Sequence, residues 1–259
     1  PFFNLVFVWL MLPMLGIMAM GPLLAWRKAD GLGVVRRMGL AGAVAVAVAC
    51  WAAWTGGTGI AGVLGFAVAA WLAIGALRAW FERWRGASPF RRLVGLPAEV
   101  HGMTLAHMGV AIVVAGITAA SVWQGEVVKL MRIGDSVELS GYQWTLQDVR
   151  STLGPNYRTE MAEIKVITAD GEYAATLLPE RRFYPVSRQN TTEAGIHTQW
   201  NADLYAVIGE GSPEEGWAVR LYYNPLVPWM WAGAAIMSFG GLVSAASRVG
   251  VRRRRKISA

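Results

Sequence analysis

Five apolar windows decide what this chain can fold into: residues 2–26, 38–54, 59–81, 103–123 and 226–246. A helix that crosses the hydrocarbon core needs about 20 largely apolar residues. Four windows reach that length, and the second, rich in Ala and Val, comes close. Backbone polar groups in lipid must pair internally, so such windows fold as helices. They predict about five transmembrane helices. Charged residues make up only 16% of the chain, against roughly 25% in soluble domains.

Charge then orients the helices. Arg27, Lys28, Arg36 and Arg37 lie between the first two windows. Arg78 at the end of the third window and Arg83, Arg85, Arg91 and Arg92 between the third and fourth form a second cluster, and Arg248, Arg252, Arg253, Arg254, Arg255 and Lys256 follow the fifth. Five crossings put all three clusters on one face, which the positive-inside rule makes cytoplasmic. A pI near 9.9 therefore reflects membrane topology and not a nucleic-acid partner.

Residues 124–224 have a different chemistry and fall on the outer face. They hold nearly all the acidic residues, and alternation runs through 127–133, 142–149, 161–168, 173–178 and 217–223. Asp170-Gly171 between two such runs is a hairpin signal. The expected fold class is a polytopic α-helical membrane protein with an inserted small antiparallel β-rich periplasmic domain. Residues 1–123 supply four transmembrane helices with basic cytoplasmic loops, 124–224 the periplasmic domain, and 225–259 the final helix and a basic cytoplasmic tail. No signal-peptide pattern precedes the first window, and the chain reads as the C-terminal portion of something longer or half of a split protein.

Few residues can carry chemistry. The lone cysteine, Cys50, excludes an internal disulfide, CxxC thiol chemistry and CxxCH haem attachment. No hydrolase elbow, P-loop, zinc spacing or dinucleotide fingerprint is present. Of the three histidines, His107 sits within the fourth window, where an ionisable or metal-binding side chain is functional by default. Gly102, Ala106 and Gly109 beside it would let another helix or a flat macrocycle approach closely. Its residue type admits two readings: a histidine hydrogen-bonded to a neighbouring helix, or an axial ligand of a b-type haem, whose second histidine no other helix of this chain supplies. His101, about 240° around the helix from His107, cannot share its face and reads as a solvated interfacial residue. His197 reads as a surface or sheet-face histidine. Asp148, Arg150, Tyr157 and Arg158 around Gly154-Pro-Asn-Tyr157 read as a structural turn, with a ligand-binding polar turn as the alternative. Arg181-Arg182-Phe-Tyr-Pro185 combines bases with aromatics, suited to lipid headgroups, to an acidic partner or to a solvated strand end.

Several ordered motifs resemble a known family: Phe2-Phe-Asn4, Leu12-Pro-Met-Leu-Gly16, Met20-Gly-Pro-Leu-Leu24, Gly102-Met-Thr-Leu-Ala-His-Met-Gly109, Gly154-Pro-Asn-Tyr157, Asp203-Leu-Tyr205, Ala218-Val-Arg-Leu-Tyr-Tyr-Asn-Pro225, Trp229-Met-Trp231 and Gly240-Gly241, followed by the basic tail. In order and spacing the chain resembles the C-terminal part of the CcmF family, the haem lyase subunit of bacterial cytochrome c maturation (System I), across essentially its whole length. The resemblance implies an inner-membrane subunit that contributes one axial histidine to a transmembrane haem b relaying electrons, with quinol as their source, to the haem being attached to apocytochrome c. His107 matches the second of the family's two ligating histidines, so it is the cofactor-binding and metal-ligating residue the resemblance implies. The first, with the family's tryptophan-rich haem-handling segment, lies outside this chain. Implied partners are the N-terminal half of the same protein or a separate chain, the haem chaperone, the apocytochrome-presenting subunits, apocytochrome c, quinol and the lipid bilayer. The resemblance implies part of a haem lyase or quinol–haem oxidoreductase, inactive as an isolated fragment, with no catalytic residue assigned. Two other readings remain: a non-redox scaffold subunit whose periplasmic domain docks partner proteins, and half of a transporter, which lacks an intramembrane charge pair here.

Overall fold

The computed structural model describes residues 2–23, 31–83 and 95–257, so Trp26, Arg27, Lys28, Trp84, Arg85, Arg91 and Arg92 lie outside the described residues. The chain divides into two compact units, residues 1–122 with 229–259, and residues 123–228.

The first unit is helical: α1 (Phe2–Met18), α2 (Gly31–Arg37), α3 (Gly39–Trp54), α4 (Gly59–Glu82), α5 (Ala98–Trp123) and α6 (Val227–Ile257). Among the described residues three helices are long and apolar enough to cross a membrane: α4, α5 and residues Val227–Ser247 of α6. The other two apolar windows form shorter helices. α1 contains Pro13 and stops at Met18, before a single 3-10 turn at Gly21–Leu23. There the Trp71 indole N–H donates to the Gly16 carbonyl (2.9 Å), filling one of the acceptors that a helix end leaves open. α2 and α3 are separated only by Met38, and i→i−4 bonds run through the junction: Met38 N to Val34 O and Gly42 N to Met38 O, both 2.9 Å. Residues 31–54 therefore form a nearly continuous rod about 36 Å long at 1.5 Å per residue.

Small residues set how closely the helices approach. A Cβ added to Gly102 would stand 2.5 Å from Gly240 O, and one on Gly109 would stand 2.5 Å from Met237 N and 2.6 Å from Gly233 O. Gly102 and Gly109 are thus in backbone contact with α6 around Gly240 and Gly233, antiparallel and seven residues apart on both helices. Without a hydrophobic driving force between helices in lipid, such close backbone packing is what holds them together. On α4, Gly62 and Gly65 instead receive the side chains of Val122 and Thr118 of α5. The buried hydroxyls of Thr104 and Thr118 bond back to Val100 O (2.9 Å) and Val114 O (2.7 Å), so neither is left unpaired in the apolar interior.

Side chains also gather several helix ends. Arg37 at the end of α2 lies 3.8 Å from Glu82 at the end of α4, and Arg78 lies 3.6 Å from the same carboxylate. Trp80 of α4 reaches His101 near the start of α5, and Gly102 meets Ser244 of α6. The ends flanking the three basic clusters therefore sit together. The α3–α4 turn, where Gly56, Gly57 and Gly59 take positive φ, lies with the far end of α5.

The second unit is a two-sheet antiparallel sandwich. Its strands are β1 (Gly125–Met131), β2 (Ser136–Leu139), β3 (Tyr142–Leu153), β4 (Arg158–Thr168), β5 (Tyr173–Leu177), β6 (Glu180–Tyr184), β7 (Gln189–Glu193), β8 (Gly195–Thr198), β9 (Ala202–Ser212) and β10 (Gly216–Pro225). One sheet runs β1-β10-β9-β8; the other runs β2-β3-β4-β6-β7, with β5 also on β4. Period-two alternation drives the burial: Trp144 and Leu146, Ile164 and Val166, Leu204 and Ile208, and Val219 and Leu221 all point inward. Gly171 (φ 83°) closes the β4–β5 turn that Asp170-Gly171 signalled.

Candidate functional site

His107 is the tenth residue of α5, about 14 Å along the axis from Ala98 at 1.5 Å per residue. It is half-buried. Its Nδ1 lies 2.8 Å from the Met103 carbonyl oxygen. A carbonyl only accepts, so Nδ1 carries the proton and donates, and the neutral ring's lone pair resides on Nε2. Among the described residues Nε2 has no hydrogen-bond partner. A histidine anchored through one nitrogen with the other lone pair open is the arrangement that metal-ligating imidazoles adopt.

The neighbouring stripe of α5 is packed. Val110, Ala111 and Val114, which share the i, i+3, i+4, i+7 stripe with His107, pack into a cluster with Ala19, Leu23, Met38 and Leu72 from the α1, α3 and α4 region. Gly102 lies about 140° away around the helix, taking 100° per residue, and its face is filled by α6. Of the two occupants anticipated for the glycine face, a helix is the one present there.

His101 differs from its sequence reading. It is half-buried and accepts a 3.2 Å hydrogen bond at Nδ1 from the Trp80 indole N–H, a partner that the sequence reading did not anticipate. That bond puts the neutral ring's proton on Nε2, which leaves neither nitrogen with an open lone pair. His197 lies on β8 opposite Leu204, half-buried on the sheet. Among the described residues no group of three or more His, Cys, Asp or Glu side chains could hold a metal ion.

The polar turn splits in two. Asp148 and Arg150 form their own pair on β3 (2.6 Å), and the Arg150 hydrogen bond holds the Asp148 carboxyl below its ordinary value. Tyr157 folds over Gly154, whose added Cβ would enter its ring, and lies under the Arg182 guanidinium at 4.7 Å. Arg182 is also tied to Glu180 (2.8 Å). What sequence reasoning missed is the second half of the helix seam, Gly233 and Gly240. Their seven-residue spacing, equal to that of Gly102 and Gly109, was the available signal.

Comparison with known proteins follows the same outline. A family model described as the CcmF C-terminal β-sandwich matches residues 122–225. The chain is 35% identical over 256 residues to the cytochrome c-type biogenesis protein CycK of Bradyrhizobium diazoefficiens, covering 96% of this chain and 38% of that protein. It is 37% identical over 250 residues to the cytochrome c-type biogenesis protein ccl1 of Rhodobacter capsulatus, covering 96% and 38%. With the CcmF protein of Escherichia coli the identity is 34% over 245 residues, covering 94% and 37%. The chain thus spans about two fifths of the length of these curated relatives. A solved structure of a cytochrome c haem lyase CcmF superposes with TM-score 0.75 at 24% identity, over 94% of this chain and 40% of that one; at that identity the likeness concerns the fold.

Proposed function

Because this chain belongs to the CcmF family, in the part that carries its C-terminal β-sandwich, we propose that it serves cytochrome c maturation by contributing His107 as one axial ligand of a b-type haem in the membrane. The relatives are named for cytochrome c-type biogenesis, and three of the described helices are long and apolar enough to cross a membrane. The observation that carries the reading is the Nδ1–Met103 bond, which leaves Nε2 free to ligate. When bound, haem iron between two histidines supplies one-electron chemistry tuned by its ligands and burial. The protein's own contribution is positional. The Met103 carbonyl holds the imidazole in one tautomer, the Val110–Ala111–Val114 stripe keeps water away, and the second ligand comes from outside this chain.

In this reading the β-sandwich faces the periplasm and the basic C-terminal end of α6 faces the cytoplasm. The gathering of Arg37, Arg78 and His101 at one end of the helices supports that orientation. The sandwich would dock the haem chaperone or the subunits that present apocytochrome c, quinol would feed electrons to the membrane haem, and the haem being attached would receive them. Cytochrome yield in cells tests the reading: His107→Ala, at matched abundance, lowers mature c-type cytochrome by about tenfold or more, as loss of a metal ligand does. Undiminished yield would leave the scaffold role as the better account.

A further inference from the structure

Two motifs that stand apart in sequence, residues 154–158 and 181–185, become neighbouring strands. Arg158 pairs with Leu153 on β3 and Phe183 on β6, and Phe183 pairs with Asn190 on β7. Side chains alternate along β4, so Arg158 and Glu160 point to the same side as the core residues Ala162, Ile164 and Val166. The inner face of the larger sheet thus continues past the sandwich as an open cleft of about 430 Å³. Leu153 is 82% exposed there and Phe183 37%.

Charge in the cleft is unevenly satisfied. Arg181 lies 3.6 Å from Glu160 and 2.5 Å from Glu210, and Arg150, Arg182 and Arg220 each have a carboxylate as well. Arg158, exposed in the same cleft, has no carboxylate partner among the described residues. One unpaired guanidinium between two exposed apolar side chains, beside the Gly154–Tyr157 turn that a backbone hydrogen bond closes, matches one kind of ligand.

We propose that this cleft docks an extended segment of a partner protein that presents a carboxylate to Arg158 and apolar side chains to Leu153 and Phe183. The cross-strand row places Leu153, Arg158 and Phe183 about 4.8 Å apart in turn. A peptide with apolar, acidic and apolar residues at alternate positions has its same-face side chains about 6.8 Å apart, close enough to engage all three. The proposal rests on the reading of this domain as a docking module, but its test involves no haem, so either can fail without the other.

The test uses the full chain in detergent micelles and a fluorescein-labelled peptide, Leu-Ser-Glu-Ser-Leu, followed by fluorescence anisotropy. Saturable binding is expected, weakened about tenfold or more by Arg158→Glu, since charge reversal replaces attraction by repulsion at a docking site. Leu153→Asp, at the exposed lip, weakens it as well, and both variants keep the melting profile of the parent. The same peptide with lysine at its centre does not bind. Equal binding of the two peptides, or acidic-peptide binding indifferent to both substitutions, overturns the proposal, as does displacement of the peptide by millimolar phosphate at unchanged ionic strength.

Discussion

An alanine methyl at Gly109 would stand 2.5 Å from the Met237 backbone nitrogen, and backbone cannot swing aside as a flexible side chain can. Gly109→Ala is therefore expected to destabilise the helical unit by about 1–3 kcal/mol, the usual penalty of overpacking. At Gly241 an added Cβ meets nothing within 4 Å, so Gly241→Ala leaves stability unchanged or raises it by up to about 1 kcal/mol through helix propensity. Thermal unfolding in detergent, followed by circular dichroism, separates the two; equal melting temperatures would contradict the close seam. His107 was legible in the sequence because an imidazole is conspicuous in an apolar helix. The Trp80–His101 bond was not, because it depends on where the end of α4 meets the start of α5, and spacing along one helix carries no such information.

At the scale of elements, legibility followed contrast. β1, β3, β4, β5 and β10 were readable where bulky apolar residues alternate with polar ones. β9 is just as buried, yet it places Ala202 and Ala206 beside Leu204 and Ile208 on its inner face and runs into Gly209 and Gly211, so its pattern is faint. β7, Gln189–Glu193, is wholly polar and is recognisable only from its pairing with β6. Two apolar windows gave shorter helices: α1, which contains Pro13 and stops at Met18, and α3, which α2 extends through the continuing i→i−4 bonds at Met38. Ile208, with no exposed surface, tests the assignment of β9. Ile208→Ala should cost about 2–5 kcal/mol by denaturant unfolding, while Val186→Ala, 97% exposed, should stay within about 0.5 kcal/mol. A silent Ile208→Ala would mean that β9 does not line the core.

For the whole molecule, charge asymmetry and helix ends make a joint claim about orientation. With Cys50 replaced by serine, a cysteine at Glu214 should react with a membrane-impermeant maleimide in intact cells. A cysteine at Arg83 should react only after lysis; the reverse pattern would invert the topology. The fold class was readable, and His107 stood out as the candidate residue, because lipid narrows the choice of structure so severely. The charged cleft on the sandwich was not, since its lining comes from strands distant in sequence. The central claim concerns His107, and the most direct measurement is a reduced-minus-oxidised visible spectrum of the membrane assembly containing this chain, with His107→Ala and His101→Phe prepared alongside. The account predicts a b-type signal that His107→Ala abolishes and His101→Phe retains. A signal that survives His107→Ala, or none in any preparation, would make His107 a packing residue and contradict the account.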